Sequence, residues 1–465
     1  MSPNPLRKIP PLSELLDNPR LRGLVDRINR NVVVRTARKV LDEITSEVQT
    51  AAAEKTLPSV TDLAERIARR VVEDEVPRLR PVVNASGVLL CDELGAVPLA
   101  EEAVEEMAAV ARDYAHVGFH LKQEQQSPRQ PAVEGLLKEL TGAEAALVVN
   151  NAAAATMLAL SALAAGREVV ISRGQMADHN GFRLPEITAA AGAVLREVGT
   201  TNRTGPDDYA DAIGGQTAAL MLIQPTNFAV AGSTVGVDLE ELVALPQRNK
   251  TPVIHDLGFG GLIDPSEFGL GNQPTAGESI KKGADLVLLR GDKLLGGPPC
   301  GILLGRKTLI EKIEGHPVSA ALGVDKLTLC ALAVTLRLHR NREKVRHTIP
   351  LLQLLSTSAE NLKNRAGRLA PQVAACDIVE KAEAVAETTF LGGVPMADCE
   401  LSTWCVSVHP SGTTAEQLAR DLRFEMPPIL TRPCKECLLL DLRSVMPRQD
   451  SQLVGALESL TNRVE

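Results

Sequence analysis

The sequence predicts an α/β chain: a large, mostly parallel sheet, with a helical segment before it and a smaller α+β unit after it. Three observations predict this. Seven short apolar runs alternate with helix-like stretches between residues 81 and 340. Several of those runs are apolar at every position, as strands buried on both faces are. The pattern is helical before residue 81 and changes to shorter mixed elements after 340. The expected division is therefore 1–80, 81–340 and 341–465.

The first segment reads as helices over SELLDNPRLRGLVDRINRNVVVRTARKVLDEITSEV and PSVTDLAERIARRVVEDEV. Asp17 or Asn18 would cap one helix, and Ser59 or Thr61 another. Its first forty residues hold nine cations (Arg7, Lys8, Arg20, Arg22, Arg27, Arg30, Arg35, Arg38, Lys39) and three acids (Glu14, Asp17, Asp26), a net of nine minus three. That charge fits a solvated helix face or a small module that touches phosphates. The strand-like runs follow: AALVVN (145–150), EVVISR (168–173), AVLREVG (193–199), AALMLIQ (218–224), TPVIHDLG (251–258), ADLVLLRG (284–291) and CGILLG (300–305). Beyond them comes a long helical stretch, ALAVTLRLHRNREKVRHTIPLLQLL, then CDIVEKAEAV, LSTWCVSVHP, AEQLARDLR, CLLLDLRSV and a last helix, DSQLVGALESLTN.

Composition excludes several classes. Hydrophobic residues make up 44% and charged residues 23% of 465, too apolar for a disordered chain. The net charge of −8 gives no whole-chain basic field, and 2% aromatics gives no base-stacking platform. The N-terminus has prolines and charges where a signal peptide needs an apolar run. The longest apolar stretch, Ala152–Ala165, falls short of the roughly 20 residues that span a bilayer. Eight scattered cysteines do not read as a disulfide framework. Cys434 and Cys437 form a lone CxxC, read as thiols with no metal role, so no metal site is expected. The expectation is a reduced, cytoplasmic protein with no membrane contact.

Ligands in parallel sheets collect at the carboxyl ends of strands, and three strand ends carry matching chemistry. One strand ends at Asn150–Asn151, and Ala152 opens a helix of small residues whose N–H groups suit an anion. Asp256 ends an apolar strand, where a carboxylate keeps a ring nitrogen protonated or simply caps a helix. Lys293 sits on a glycine-flanked turn between two apolar runs, a place for a partly desolvated, nucleophilic amine. A phosphate cup, an Asp, then a Lys 37 residues on (293 − 256) is the order used by aspartate-aminotransferase-type pyridoxal phosphate enzymes. His179, after the second strand, would cover the cofactor face or serve as a structural histidine.

The chain also resembles one family in particular, bacterial selenocysteine synthase, the L-seryl-tRNA(Sec) selenium transferases. The runs that carry the resemblance are VVNASGVLL (82–90), VEGLLKELTGAEAALVVNNAAA (133–154), EVGTTNRT (197–204), GADLVLLRGDKLLGGPPCGI (283–302) and HPVSAALGVDKLTLCAL (316–332). LRKIPPLSELLDNPRLRGLV and RPCKECLLLDLRSVMP resemble it at the two ends. The resemblance implies a pyridoxal phosphate fold type I large domain over 81–340, an N-terminal domain over 1–80 that binds tRNA(Sec), and a C-terminal small domain over 341–465. It implies homo-oligomers built of dimers and pyridoxal 5′-phosphate on Lys293. Seryl-tRNA(Sec) would become selenocysteinyl-tRNA(Sec) through a pyridoxal phosphate aldimine and a dehydroalanyl intermediate, with selenophosphate as donor. Arg129 and the run Thr200, Thr201, Asn202 match family substrate positions.

The chain departs from the family at the donor. The arginine that follows a TNLG run is Ala96, after DELG, and two arginines of an RALR run are Ala320 and Gly323. Each charge-assisted contact to a phosphate is worth about 1.5–3 kcal/mol. The family's serine two before the DK is Arg290, which would take over at the cofactor phosphate. A paralogue acting as a pyridoxal phosphate-dependent lyase or transferase on another amino acid substrate is the alternative reading.

Overall fold

The structure is a computed structural model that describes residues 10–50, 59–75, 79–117, 119–120, 125–126, 131–176, 178–179, 182–271, 273–394, 396 and 399–461. The chain forms two compact units, Met1–Val83 with Arg420–Ile429, and Asn84–Ala419 with Leu430–Glu465. Residues on either side of 340 lie in the second of these units.

The first unit is built from α1 (Leu12–Leu16), α2 (Pro19–Arg27), α3 (Arg30–Thr50) and α4 (Val60–Glu75). Ser59 starts α4 with a reciprocal cap. Its Oγ accepts from the Asp62 N–H at 3.1 Å, and the Asp62 carboxylate accepts from the Ser59 N–H at 3.0 Å. Thr61, the other candidate, lies inside the helix. Leu63, Ile67 and Val71 recur every four residues on one face of α4, and all are buried with Val33, Ala37, Val40 and Ile44 of α3. Arg30, Arg35, Arg38 and Lys39 lie on the exposed side of α3.

The second unit holds a seven-stranded sheet of β1 (Ala145–Val149), β2 (Glu168–Ser172), β3 (Val194–Val198), β4 (Thr217–Ile223), β5 (Val253–Asp256), β6 (Leu286–Arg290) and β7 (Gly301–Gly305). The spatial order is β1-β7-β6-β5-β4-β2-β3. All neighbours are parallel except β7, which is antiparallel to both β6 and β1. Each strand lies within a residue or two of its apolar run. Alternate residues feed two cores, one per face: Val287 and Leu289 enter one, Leu286 and Leu288 the other. Both faces are covered, which is why the central strands are apolar throughout.

The C-terminal part differs from the sequence reading in two respects. The stretch 331–355, expected as a long helical stretch, is divided among three helices: α6 (Lys326–His339), α7 (Arg342–Thr348) and α8 (Pro350–Ser356). Asn341 caps α7, its side chain accepting from the Lys344 N–H at 3.1 Å. Pro350 opens α8, because its missing N–H cannot continue a preceding helix. Beyond α9 (Ala359–Ala374), the strands Val379–Phe390, Glu400–Pro410 and Leu438–Asp441 pair antiparallel. The CxxC is a second correction. Cys434 and Cys437 form a disulfide across a turn that brings their Cα atoms to 5.3 Å. The Cys434 N–H donates to Cys437 O at 2.9 Å and closes that turn.

Candidate active site

The antiparallel β7 returns the chain to β6 through the turn 291–300, and Lys293 rides on that turn. The turn is closed by its own backbone. The Gly291 N–H donates to Cys300 O at 3.0 Å, the Gly297 N–H to Gly291 O at 2.8 Å, and the Gly296 N–H to Lys293 O at 2.8 Å. A Cβ on Gly291 would stand 2.3 Å from Pro298 O, so the loop closes around a missing side chain. Lys293 is 4% exposed. Its Nζ is ion-paired with Asp92 and lies 3.1 Å from Asp292 Oδ2.

The end of β1 lies beside the start of β7. Asn151 caps α5 (Ala152–Ala164), its side chain accepting from the Ala154 N–H at 2.8 Å. Gly301 faces it so closely that a Cβ there would stand 2.2 Å from Asn151 O. Asn150 is exposed and its N–H donates to Leu322 O at 3.0 Å, which sets the segment 317–323 along the strand end.

These parts meet in one cavity of about 470 Å³. Lys293, Arg290 and Asp292 line it from the β6 side, Asn151, Ala152 and Ala153 from the helix start, and Asp92, Gly95 and Ala96 from a separate turn. Arg290 Nε is buried with no hydrogen-bond partner among the described residues. An orphaned guanidinium donor, a helix N-terminus and a buried amine on one cavity fit a ligand that carries both a phosphate and an aldehyde. Cys300 also lines the cavity, but burial pushes its thiol up to about 12, so it is no nucleophile there.

Other expected residues lie elsewhere. Asp256 is buried at the end of β5, and its Oδ1 accepts from the Gly258 N–H at 3.0 Å; it is not among the residues lining the cavity. Thr200, Thr201 and Asn202 form an exposed turn after β3. The Thr200 hydroxyl donates to Arg203 O at 3.1 Å, and Asn202 Nδ2 donates to Ser233 O at 2.9 Å. The backbone of His179 pairs with Phe182 beside the site, while Arg129 lies outside the described residues. Asp92 is the residue that the sequence reading missed. Its signal was the acidic pair in DELG, which the sequence reading used only to locate the missing arginine at Ala96.

Comparison with known proteins now decides the family. Residues 82–446 match the L-seryl-tRNA selenium transferase model, and residues 6–44 match the selenocysteine synthase N-terminal model. The chain is 41% identical over 460 residues to the L-seryl-tRNA(Sec) selenium transferase of Moorella thermoacetica, covering 98% of this chain and 97% of that protein. The chain belongs to the L-seryl-tRNA selenium transferase family. The protein of the same name from Carboxydothermus hydrogenoformans is 38% identical over 447 residues, 96% of this chain and 95% of that one. D-glucosaminate-6-phosphate ammonia-lyase shares the fold, with a TM-score of 0.58 over 83% of this chain and 96% of that one at 20% identity. The cofactor of this transferase family is pyridoxal 5′-phosphate. Similarity over nearly the whole length does not favour the paralogous lyase. Among the described residues, no helix is long and apolar enough to cross a membrane.

Proposed function

We infer that this chain is an L-seryl-tRNA(Sec) selenium transferase, which replaces the serine hydroxyl of seryl-tRNA(Sec) with selenium. The observation that carries the reading is the buried Lys293 on one cavity with Arg290 and the start of α5, in a chain similar to these transferases from end to end. Pyridoxal phosphate, when bound, supplies the electron sink that lets a Cα proton leave.

The chain's own residues do the rest. Arg290 Nε and the N–H groups of Ala152 and Ala153 would hold the cofactor phosphate, beside the cap of Asn151 and the strand end at Asn150. Lys293 Nζ would hold the aldehyde end and, once released, accept the serine Cα proton. The Asp256 carboxylate would keep the ring nitrogen protonated, and His179 would cover the ring. Arg129, Thr200, Thr201 and Asn202 would serve the substrates. The exposed cations of α3 support the N-terminal unit as the tRNA-binding part, since phosphate contacts dominate such binding. Homo-oligomers built of dimers and a cytoplasmic location rest on the family resemblance. So does selenophosphate as donor, because Ala96, Ala320 and Gly323 bring no cation to the site.

The test is conversion of seryl-tRNA(Sec) by the purified protein with selenophosphate, followed by mass analysis of the aminoacyl group. Selenocysteinyl product is expected. Unreacted serine, from protein that carries its cofactor on Lys293, overturns the reading and points to another substrate.

A further inference from the structure

Two carboxylates converge on one buried amine. Lys293 Nζ is ion-paired with Asp92 across 201 residues of chain and lies 3.1 Å from Asp292 Oδ2. The Lys293 side chain is 5% exposed, and that of Asp92 is 29% exposed. Asp292 is the lysine's own neighbour and moves with its turn. Asp92 belongs to a different element, the 3-10 turn Asp92–Leu94, and lines the cavity itself. That turn is set by backbone geometry. The Gly95 N–H donates to Asp92 O at 3.0 Å, and Gly95 and Ala96 both take left-handed conformations, with φ of 76° and 70°.

We propose that Asp92 is the positioning residue of Lys293: it holds Nζ as an ammonium ion turned toward the cavity, and takes its proton when the amine becomes a nucleophile. The proposal rests on the reading of Lys293 as the lysine that captures pyridoxal phosphate. The proton passes from Nζ to Asp92 Oδ1, the freed lone pair attacks the aldehyde carbon, and the aldehyde oxygen leaves as water with the two hydrogens still on Nζ.

Asp292 is the second carboxylate at the amine, 3.1 Å away on the lysine's own turn; among groups on other elements, the role falls to Asp92. Arg290 lines the same cavity and carries positive charge, so it takes no proton. Glu93, on the Asp92 turn, accepts from Cys91 Sγ at 3.3 Å. Cys300 keeps its proton because burial raises it, and His339, bonded to Leu295 O beyond the lysine, is neutral because burial lowers it to about 4. Asp256 is turned to the Gly258 N–H.

The sign follows. An opposite charge beside an amine favours its charged form, so removing the carboxylate makes the neutral amine available at lower pH. The experiment uses the full-length protein stripped of cofactor, with pyridoxal 5′-phosphate added across a pH series. It reads the rate at which the visible chromophore appears, and peptide mass after borohydride reduction identifies the lysine. Asp92→Asn should lower the pH midpoint of capture, which makes capture faster below both midpoints. Asp92→Glu should restore the original midpoint. Asp92→Thr, smaller and uncharged, should behave as Asp92→Asn if the amide variant folds poorly. An unchanged midpoint in folded Asp92→Asn or Asp92→Thr overturns the proposal. Capture at a lysine other than Lys293 overturns it together with the reading beneath it, and the peptide masses tell the two failures apart.

Discussion

One wall of the cavity is made by strand ends and the other by the turn at residues 92–96, and different physics builds them. The strand wall holds Lys293, Arg290 and Asn151 on elements buried on both faces and closed by backbone hydrogen bonds. Its glycines stand where any Cβ would meet backbone within about 2.3 Å, as at Gly291 and Gly301. The turn wall is short, partly exposed and set by two left-handed residues, one of them the non-glycine Ala96. The first wall places a buried amine and an orphaned guanidinium on the cavity. The second brings the Asp92 carboxylate to that amine and, at Ala96, no cation. The amine is thus set by backbone in the core, and its carboxylate partner by a side chain on a turn.

Substitutions on each wall would sharpen or break this contrast. The largest effect is expected from Lys293→Ala, which should abolish the borohydride-trappable chromophore and lower turnover by about 10²–10⁴-fold. A yellow, trappable variant would break the contrast, since the strand wall would then not hold the cofactor. Gly301→Ala comes next. Its Cβ would meet Asn151 O at 2.2 Å, so about 1–3 kcal/mol of stability should be lost, read from the urea midpoint, with weaker retention of pyridoxal phosphate. An unshifted midpoint would mean that the strand wall yields as readily as the turn. The smallest effect is expected from Ala96→Gly. Relief of the positive φ, offset by glycine's greater freedom when unfolded, should raise stability by about 0.5–1 kcal/mol in the same assay.

The strand wall was legible in the sequence and the turn wall was not. The central β strands announce themselves as apolar runs, because burial on both faces imposes that pattern locally, while the edge strand β3 keeps Arg196 and Glu197 and is mostly exposed. Lys293 and the Asn151 helix start follow from the strands, since ligands gather at their carboxyl ends. Asp256 was legible as a strand-end acid, yet its hydrogen bond to Gly258 depends on a turn that no periodicity reports. Nothing local joins Asp92 to Lys293; the fold alone brings them together across 201 residues. The break of 331–355 into separate helices was readable at Asn341 and Pro350, but the apolar spacing of the whole stretch masked it. The disulfide between Cys434 and Cys437 depends on the closure of one tight turn, and the CxxC spacing by itself is compatible with free thiols.

The closed loop around Lys293 also has a consequence for amide exchange. Gly291, Gly296 and Gly297 donate within the loop itself, Gly291 and Gly297 to acceptors that adjoin β7 and β6. Deuterium should therefore enter these amides as slowly as it enters the strands, through opening of the whole sheet. The Leu94 and Gly95 amides bond only within a single exposed turn, to Cys91 O and Asp92 O, and should exchange through local fraying. The lysine would then sit on the slowest-exchanging part of the molecule and its carboxylate partner on one of the fastest, so the ion pair between them spans a boundary in protection.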